Sequence, residues 1–434
     1  MKKIELLSPA GNLEKLKIAI AYGADAVYAG VSHFSLRIRS GKEFTMETFK
    51  EGIDYAHARG KKVYVTINGF PFNSQIELLK KHIIKIATLE PDALIVATPG
   101  VVALCNELAP GIPIHLSTQA NVMNYLDAKV YYDMGVKRII AAREISLRDV
   151  ADIKKHLPDL EIEIFVHGSM CFAYSGRCLV SAVQKGRAPN RGSCANDCRF
   201  EYTLYAGNEE NGSLFRLEEE EGVGTYIFNA KDMNLASHVD EIVKSGVVDS
   251  IKIEGRTKSP YYAAVTAYAY SMALKDSKND EFVAQKYQDE LNTTKNRGFT
   301  DAYLIHKPFD KNDTQNYEYA LSAGSYEVTG FVLADEDYFV CKYKVYPNDG
   351  IEIEIFAPIN STIEEVENEY GAIYKKENGK YYITFKKIIT LSGKELETVH
   401  SGNVNPIKLP GKLPFMTMLR IKTQEIVNDD ETID

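Results

Sequence analysis

Over the first 275 residues, short apolar runs alternate with longer stretches in which apolar positions recur every three or four residues. The runs at 4–7, 26–29, 62–67, 93–97, 114–117, 138–142, 161–166 and 250–253 read as buried strands, and 12–22, 46–58, 75–89 and 125–134 carry helical spacing. Gly23, Gly60 and Gly135 stand where helices should stop, and Ser146 and Ser259, the latter followed by Pro260, stand where helices should start. Eight strands with helices between them predict an α/β fold, a (β/α)8 TIM-like barrel over 1–276. No glycine-rich dinucleotide fingerprint opens the first helix, which weighs against an open doubly wound sheet.

The pattern loosens in two places. A Cys-rich loop insertion is expected over 168–225. The wider stretch 201–245, with four glutamates at 218–221, reads as inserted ahead of the last strand, and its extended piece 226–229 competes for the eighth strand position. After a helix at 261–275 the chain turns polar, so 277–324 reads as a connector holding a shaped Arg297-Gly298-Phe299-Thr300 turn. From 325 the apolar positions fall every second residue, with a turn signal at Asn348-Asp349-Gly350; this predicts a small all-β C-terminal domain, barrel or sandwich, over 325–412, and an acidic tail over 413–434.

At 434 residues the chain is too long for one ordinary core. The N-terminal MKKIELL is interrupted by Glu5 and reads as a strand rather than a leader, and no run reaches the roughly 18 apolar residues of a membrane helix. A cytoplasmic protein without a membrane partner is therefore expected. The net charge of −9 argues against a general nucleic-acid binder. Charge is local, however. Arg177, Lys185, Arg187, Arg191 and Arg199 face a single acid, Asp197, between 164 and 200, so a selected phosphate-bearing partner is allowed.

That same segment holds Cys171, Cys178, Cys194 and Cys198, while Cys105 and Cys341 sit in apolar contexts as core filler. In a reducing compartment clustered thiols point to a shared metal or cluster. Their spacing matches neither a zinc ribbon nor the ferredoxin run, and leaves iron–sulfur and zinc both open. Barrel active sites form at the C-terminal strand ends. Those ends carry Asn68, then His115, Ser117, Gln119 and Asn121, then Arg143 and Glu144, then His167, and finally Lys252, Glu254 and Arg256. Alternation turns the last three the same way. On a strand covered on both faces that is costly unless they line a polar cavity, the other reading being an ion-pair ladder. There is no H-E-x-x-H and no G-x-S-x-G.

The segments 5–30, 163–181 (EIFVHGSMCFAYSGRCLVS), 190–199 (NRGSCANDCR) and 251–262 (IKIEGRTKSPYY) resemble the collagenase-like peptidase family, family 32 of the unknown-type peptidases. The Arg297–Thr300 turn and the trailing β-domain are similar to its longer branch. That resemblance implies tRNA modification: oxygen-independent hydroxylation of wobble uridine 34 to 5-hydroxyuridine, with prephenate as hydroxyl donor. It also implies a 4Fe-4S cluster (zinc being the alternative) on Cys171, Cys178, Cys194 and Cys198, supplied by the iron–sulfur assembly machinery. On this reading Arg143, Lys252 and Arg256 would pair the donor's carboxylates, and Glu254 or His167 would move protons. Asn68, His115, Gln119, Glu144, Arg177 and Arg191 would contact substrate, and the tRNA anticodon arm would be gripped by the basic loop and the β-domain. The acidic net charge and the glutamate run are odd for such a partner. Two other readings stand beside it: a metal-dependent, collagenase-like endopeptidase, and a non-catalytic binding module stabilised by metal.

Overall fold

A computed structural model describes residues 3–423 except 32–33, 37–43, 172, 176, 188, 190–193, 201, 204, 208–211, 217–228, 306–307, 309–310, 317–320, 323, 343–344, 348–350 and 400–403. The helices α1 (Leu13–Ala21), α2 (Met46–His57), α3 (Ile76–Ala87), α4 (Pro99–Leu108), α5 (Tyr125–Asp133) and α6 (Leu147–His156) alternate with strands β1 (Glu5–Pro9), β2 (Ala26–Ala29), β3 (Lys62–Ile67), β4 (Ala93–Val96), β5 (Ile114–Leu116), β6 (Arg138–Ile140) and β7 (Glu161–Ser169). The predicted starts and stops hold. The Ser146 hydroxyl accepts the Asp149 amide in a capping box, Ser259 caps the helix that Pro260 opens, and Gly23, Gly60 and Gly135 take positive φ.

After β7 come α7 (Val180–Lys185), β8 (Asp232–Asn234), α8 (Val239–Ser245), β9 (Ser250–Ile253), α9 (Pro260–Lys278), α10 (Ala284–Leu291) and β10 (Phe299–Thr300). Strand β9 pairs in parallel with both β1 and β7, which closes an eight-stranded barrel in the order β9-β1-β2-β3-β4-β5-β6-β7. The eighth place thus belongs to 250–253; the competing piece 226–229 lies outside the described residues but for Asn229.

Two expectations need correction. From Asp232 onward the supposed insertion 201–245 belongs to the barrel wall. β8 runs antiparallel to the end of β7, and α8 buries Val239, Ile242 and Val243, an apolar stripe at helical spacing. Among its earlier described residues, Tyr205–Gly207 and Leu214–Arg216 pair as a small ribbon. The expected tail begins too early, because Met418–Lys422 is an inner strand of the C-terminal sheet. Met418, Leu419, Arg420 and Ile421 are all buried, so a search for period-two alternation passes over them.

That sheet has eight antiparallel strands in the order Val366–Glu367, Gly371–Lys375, Tyr381–Phe385, Ile353–Phe356, Met418–Lys422, Tyr326–Val332, Tyr338–Cys341, Ile407–Lys408. One face packs its own core around Phe339, Ile383, Ile407 and Leu419, while Phe356 and Met418 join the barrel's core instead. Phe356 meets the rings of Tyr22, Tyr261 and Tyr268. Arg420 is fully buried between Glu290 of α10 and Glu354 of the sheet. The segment 277–324 is therefore built into the fold: α10 buries Tyr287 and Leu291, and Arg297 pairs with Asp232 where β10 joins β8.

Candidate active site

Inside the barrel, alternation on a doubly covered strand aims charged residues at one another. Glu163 of β7 accepts from Lys252 Nζ at 2.9 Å and from Arg138 at 3.1 Å. Arg138 also reaches Glu5 at 2.6 Å, and the Tyr64 hydroxyl donates to Glu5. Burial alone would raise the Glu163 carboxyl, but Lys252 and Arg138 outweigh it and hold it below the usual carboxylate range. His115 sits in this layer, edge-on to Tyr64 at 4.7 Å between ring centroids. Burial and the nearby Arg138 and Lys252 keep it neutral. Its Nδ1 has no hydrogen-bond partner among the described residues. This network is the floor, not the site. Sequence reading missed Glu5, Tyr64, Arg138 and Glu163, although the Glu161-x-Glu163 alternation in a strand is the same signal that picked out Lys252.

Above the floor opens a cavity of about 170 Å³. Its wall includes Tyr28, Asn68, Gln119, Arg143, Phe165, Lys252, Glu254, Arg256 and all four clustered cysteines. The inward turn of Lys252, Glu254 and Arg256 is as expected, though Lys252 is committed to Glu163 and stands 4.2 Å over the Tyr28 ring. Arg143 lies 3.5 Å from Glu254 and stacks on Phe165 at 4.1 Å. Arg256 donates to Ser35 at 2.8 Å and to Thr66 at 3.2 Å. The Asn68 amide donates to Ser117 and Gln119, forming a band of uncharged hydrogen-bonding groups on the opposite strands.

Other candidates stand elsewhere. His167 is buried behind the barrel wall, ringed by Tyr262, Tyr270 and Phe299. The cause is a bulge: β9 pairs Lys252 with Phe165 but Ile253 with His167, so Val166 is an extra residue and the alternation inverts. Burial drives the His167 imidazole down to about 3, so it is neutral and makes a poor proton carrier. Glu144 lies beside Tyr303 outside the cavity. Arg177 is exposed on the loop and does not line the cavity, and Arg191 lies outside the described residues.

The cysteine loop is positioned by local structure. Gly168 takes φ +111°, and a Cβ there would stand 2.4 Å from the Glu254 carbonyl oxygen, so glycine lets β7 cross close over β9 before Cys171. Cys178 precedes α7. The Ser181 hydroxyl accepts the Ala195 amide, fixing Cys194 beside that helix, and Cys198 lies in a short turn whose Asp197 meets Lys185 at 3.1 Å. Burial pushes the Cys178 and Cys198 thiols up, and the other cysteines of the set add to it through their charge. No three His, Cys, Asp or Glu side chains among the described residues converge as on a single ion. Cys105 and Cys341 are core residues, and burial pushes the Cys105 thiol up to about 12. No helix among the described residues is long and apolar enough to cross a membrane.

Comparison with known proteins adds to this geometry. The model of Peptidase family U32 matches residues 11–314. The chain is 59% identical over 424 residues to tRNA hydroxylation protein P of Helicobacter pylori, covering 98% of this chain and all of that protein. Its counterpart in Escherichia coli, named likewise, is 39% identical over 86% of this chain and 90% of its own length. A protein of Porphyromonas gingivalis named Collagenase is 28% identical over 87% and 93%.

Proposed function

The chain belongs to peptidase family U32, and we propose that it is a tRNA-hydroxylating enzyme acting on wobble uridine 34 to give 5-hydroxyuridine. The proposal takes prephenate as hydroxyl donor and a 4Fe-4S cluster as cofactor. What carries it is one observation: four thiols, three guanidiniums and a carboxylate share the cavity at the barrel mouth, in a chain this similar to proteins named for tRNA hydroxylation.

The donor set suits the group. Four soft sulfurs favour iron–sulfur or zinc, and Cys171, Cys178, Cys194 and Cys198 would hold it. All four line the same cavity, so a single group could be shared among them. When bound, the cluster would supply a redox-active or Lewis-acidic iron facing the cavity. Its insertion would call on the iron–sulfur assembly machinery. The remaining chemistry falls to the chain's own groups. Arg143 and Arg256 offer two guanidiniums, which match a dicarboxylate such as prephenate bidentately. Glu254, held against Arg143, would take or return a proton. Asn68 and Gln119, hydrogen-bonded to each other in the free protein, would exchange that bond for the edge of a pyrimidine. A cavity of about 170 Å³ holds no folded RNA, so the target nucleotide would have to swing out of the anticodon loop to enter.

The peptidase reading, with zinc on the cysteines or on His167 and its neighbours, loses the second of those sites, because His167 is buried among Tyr262, Tyr270 and Phe299 and does not line the cavity. The direct test is mass spectrometry of tRNA from a deletion strain. Loss of 5-hydroxyuridine derivatives, restored by the wild-type chain but not by Cys178→Ser, is expected. Unchanged modification in the deletion strain overturns the proposal. Anaerobically purified wild-type protein should be brown, and C178S pale at similar folded yield.

A further inference from the structure

A second opening lies between the barrel and the C-terminal sheet. It is a cleft of about 1020 Å³, and the one residue it shares with the cavity at the barrel mouth is Arg256. Its walls are the first turn of α9 with the loop before it, the start of α1, the 293–295 turn, and the sheet's strands Tyr326–Val332 and Tyr338–Cys341. The sequence pattern gave no hint of it, since its residues come from six separate stretches of chain.

The charge of this cleft departs from that of the molecule. Lys15, Lys258, Lys295 and Lys342 face it against two carboxylates, Glu14 and Glu327, a net of +2 on a chain whose net charge is −9, and the Arg256 guanidinium lies next door in the cavity. Lys295 meets Glu327 at 3.3 Å with both side chains well exposed, a pairing that water screens and a stronger anion can displace. Lys342 is exposed and forms no ion pair among the described residues. Concentrating cations in a concave, solvent-open channel on an otherwise acidic surface makes a local attractive potential for a polyanion while repelling it elsewhere. Half-buried Phe331, Val328 and Tyr326 give the same channel an apolar lining against which sugars or bases can rest.

We propose that this cleft holds the ribose–phosphate backbone of the RNA flanking the target nucleotide. The statement rests on the tRNA reading above and deepens it. Arg256 lines both openings, so a strand lying in the cleft would have its next nucleotide beside the cavity. The arrangement resolves the conflict between an acidic protein and an anionic substrate: the cations are few, and they are gathered in one cleft.

The test uses the full chain and an unmodified tRNA with a wobble uridine. Binding is measured by filter retention over a range of salt for the wild type, for Lys295→Gln/Lys342→Gln, and for a control pair on the far helices, Lys80→Gln/Lys129→Gln. Thermal unfolding confirms that all three are folded. The cleft pair should bind about tenfold more weakly at moderate salt, and the slope of log K against log salt should fall by about 2, one for each lost phosphate contact. The control pair should match the wild type. In complemented deletion strains the cleft pair should still produce 5-hydroxyuridine when overexpressed, because the cavity is untouched. Equal affinity and equal slope for the cleft pair and the wild type overturn the inference, and leave the cleft to a protein partner. A wild-type chain that restores no 5-hydroxyuridine overturns the tRNA reading itself, which separates the two failures.

Discussion

Strands β7 and β9 lie side by side where the barrel closes, and they treat the same alternation differently. On β9, Lys252 faces in, and Glu254 and Arg256 continue inward beyond its end, so three charged residues two apart build a floor and two walls of the cavity. On β7, Glu163 and Phe165 face in, but the extra residue Val166 inverts the pattern and His167 goes to the far side. A one-residue bulge thus decides whether a polar residue belongs to the site or to the packing. It also brings Gly168 across Glu254 and releases the chain into the cysteine loop, so the same irregularity that removes His167 from the cavity positions Cys171 at it.

The comparison can be broken most forcefully at its inward side. Glu163→Ala strands the buried Lys252 ammonium, and should cost about 3–5 kcal/mol in denaturant unfolding. Glu163→Leu combined with Lys252→Met should recover most of that loss, because an apolar pair of similar volume needs no counter-charge. A double variant as unstable as the single one would show that Arg138, not Lys252, is the dependent partner. The next effect is on activity. Glu254→Gln keeps the shape beside Arg143 and should leave the melting temperature close to wild type. It should lower 5-hydroxyuridine formation by about 10²-fold or more if Glu254 handles the proton.

The outward side is probed by pH. The folded state holds His167 neutral with its imidazole at about 3, whereas the unfolded chain protonates near 6.5. Stability is therefore full above about pH 6.5 and falls as the pH drops below it, because the unfolded state alone gains the proton. Between pH 6.5 and 5 the wild type should lose about 2 kcal/mol more than His167→Phe, whose ring suits the same aromatic cage. Parallel pH curves for the two proteins would place His167 in contact with solvent and put it back among the candidates at the cavity.

The sequence alone determined the barrel, because parallel strands buried on both faces must read as short apolar runs and the helices between them must be amphipathic; every barrel strand was legible within a few residues. It also marked the cysteine loop, since four thiols so close in sequence are rare, and the charged triad after residue 250, since alternation there is unbroken. Tertiary structure decided the rest. His167 left the site through a bulge that no composition announces. Glu5, Arg138 and Glu163 became a floor through partners drawn from strands far apart in the chain, and Met418–Lys422 became an inner strand because both its faces are covered. The cleft beside Arg256 exists only where the C-terminal sheet docks on the barrel, through Arg420 and Phe356. Local periodicity records which face of an element is buried. It does not record which distant element covers that face, and that is what places a charge in a cavity, a core or a cleft.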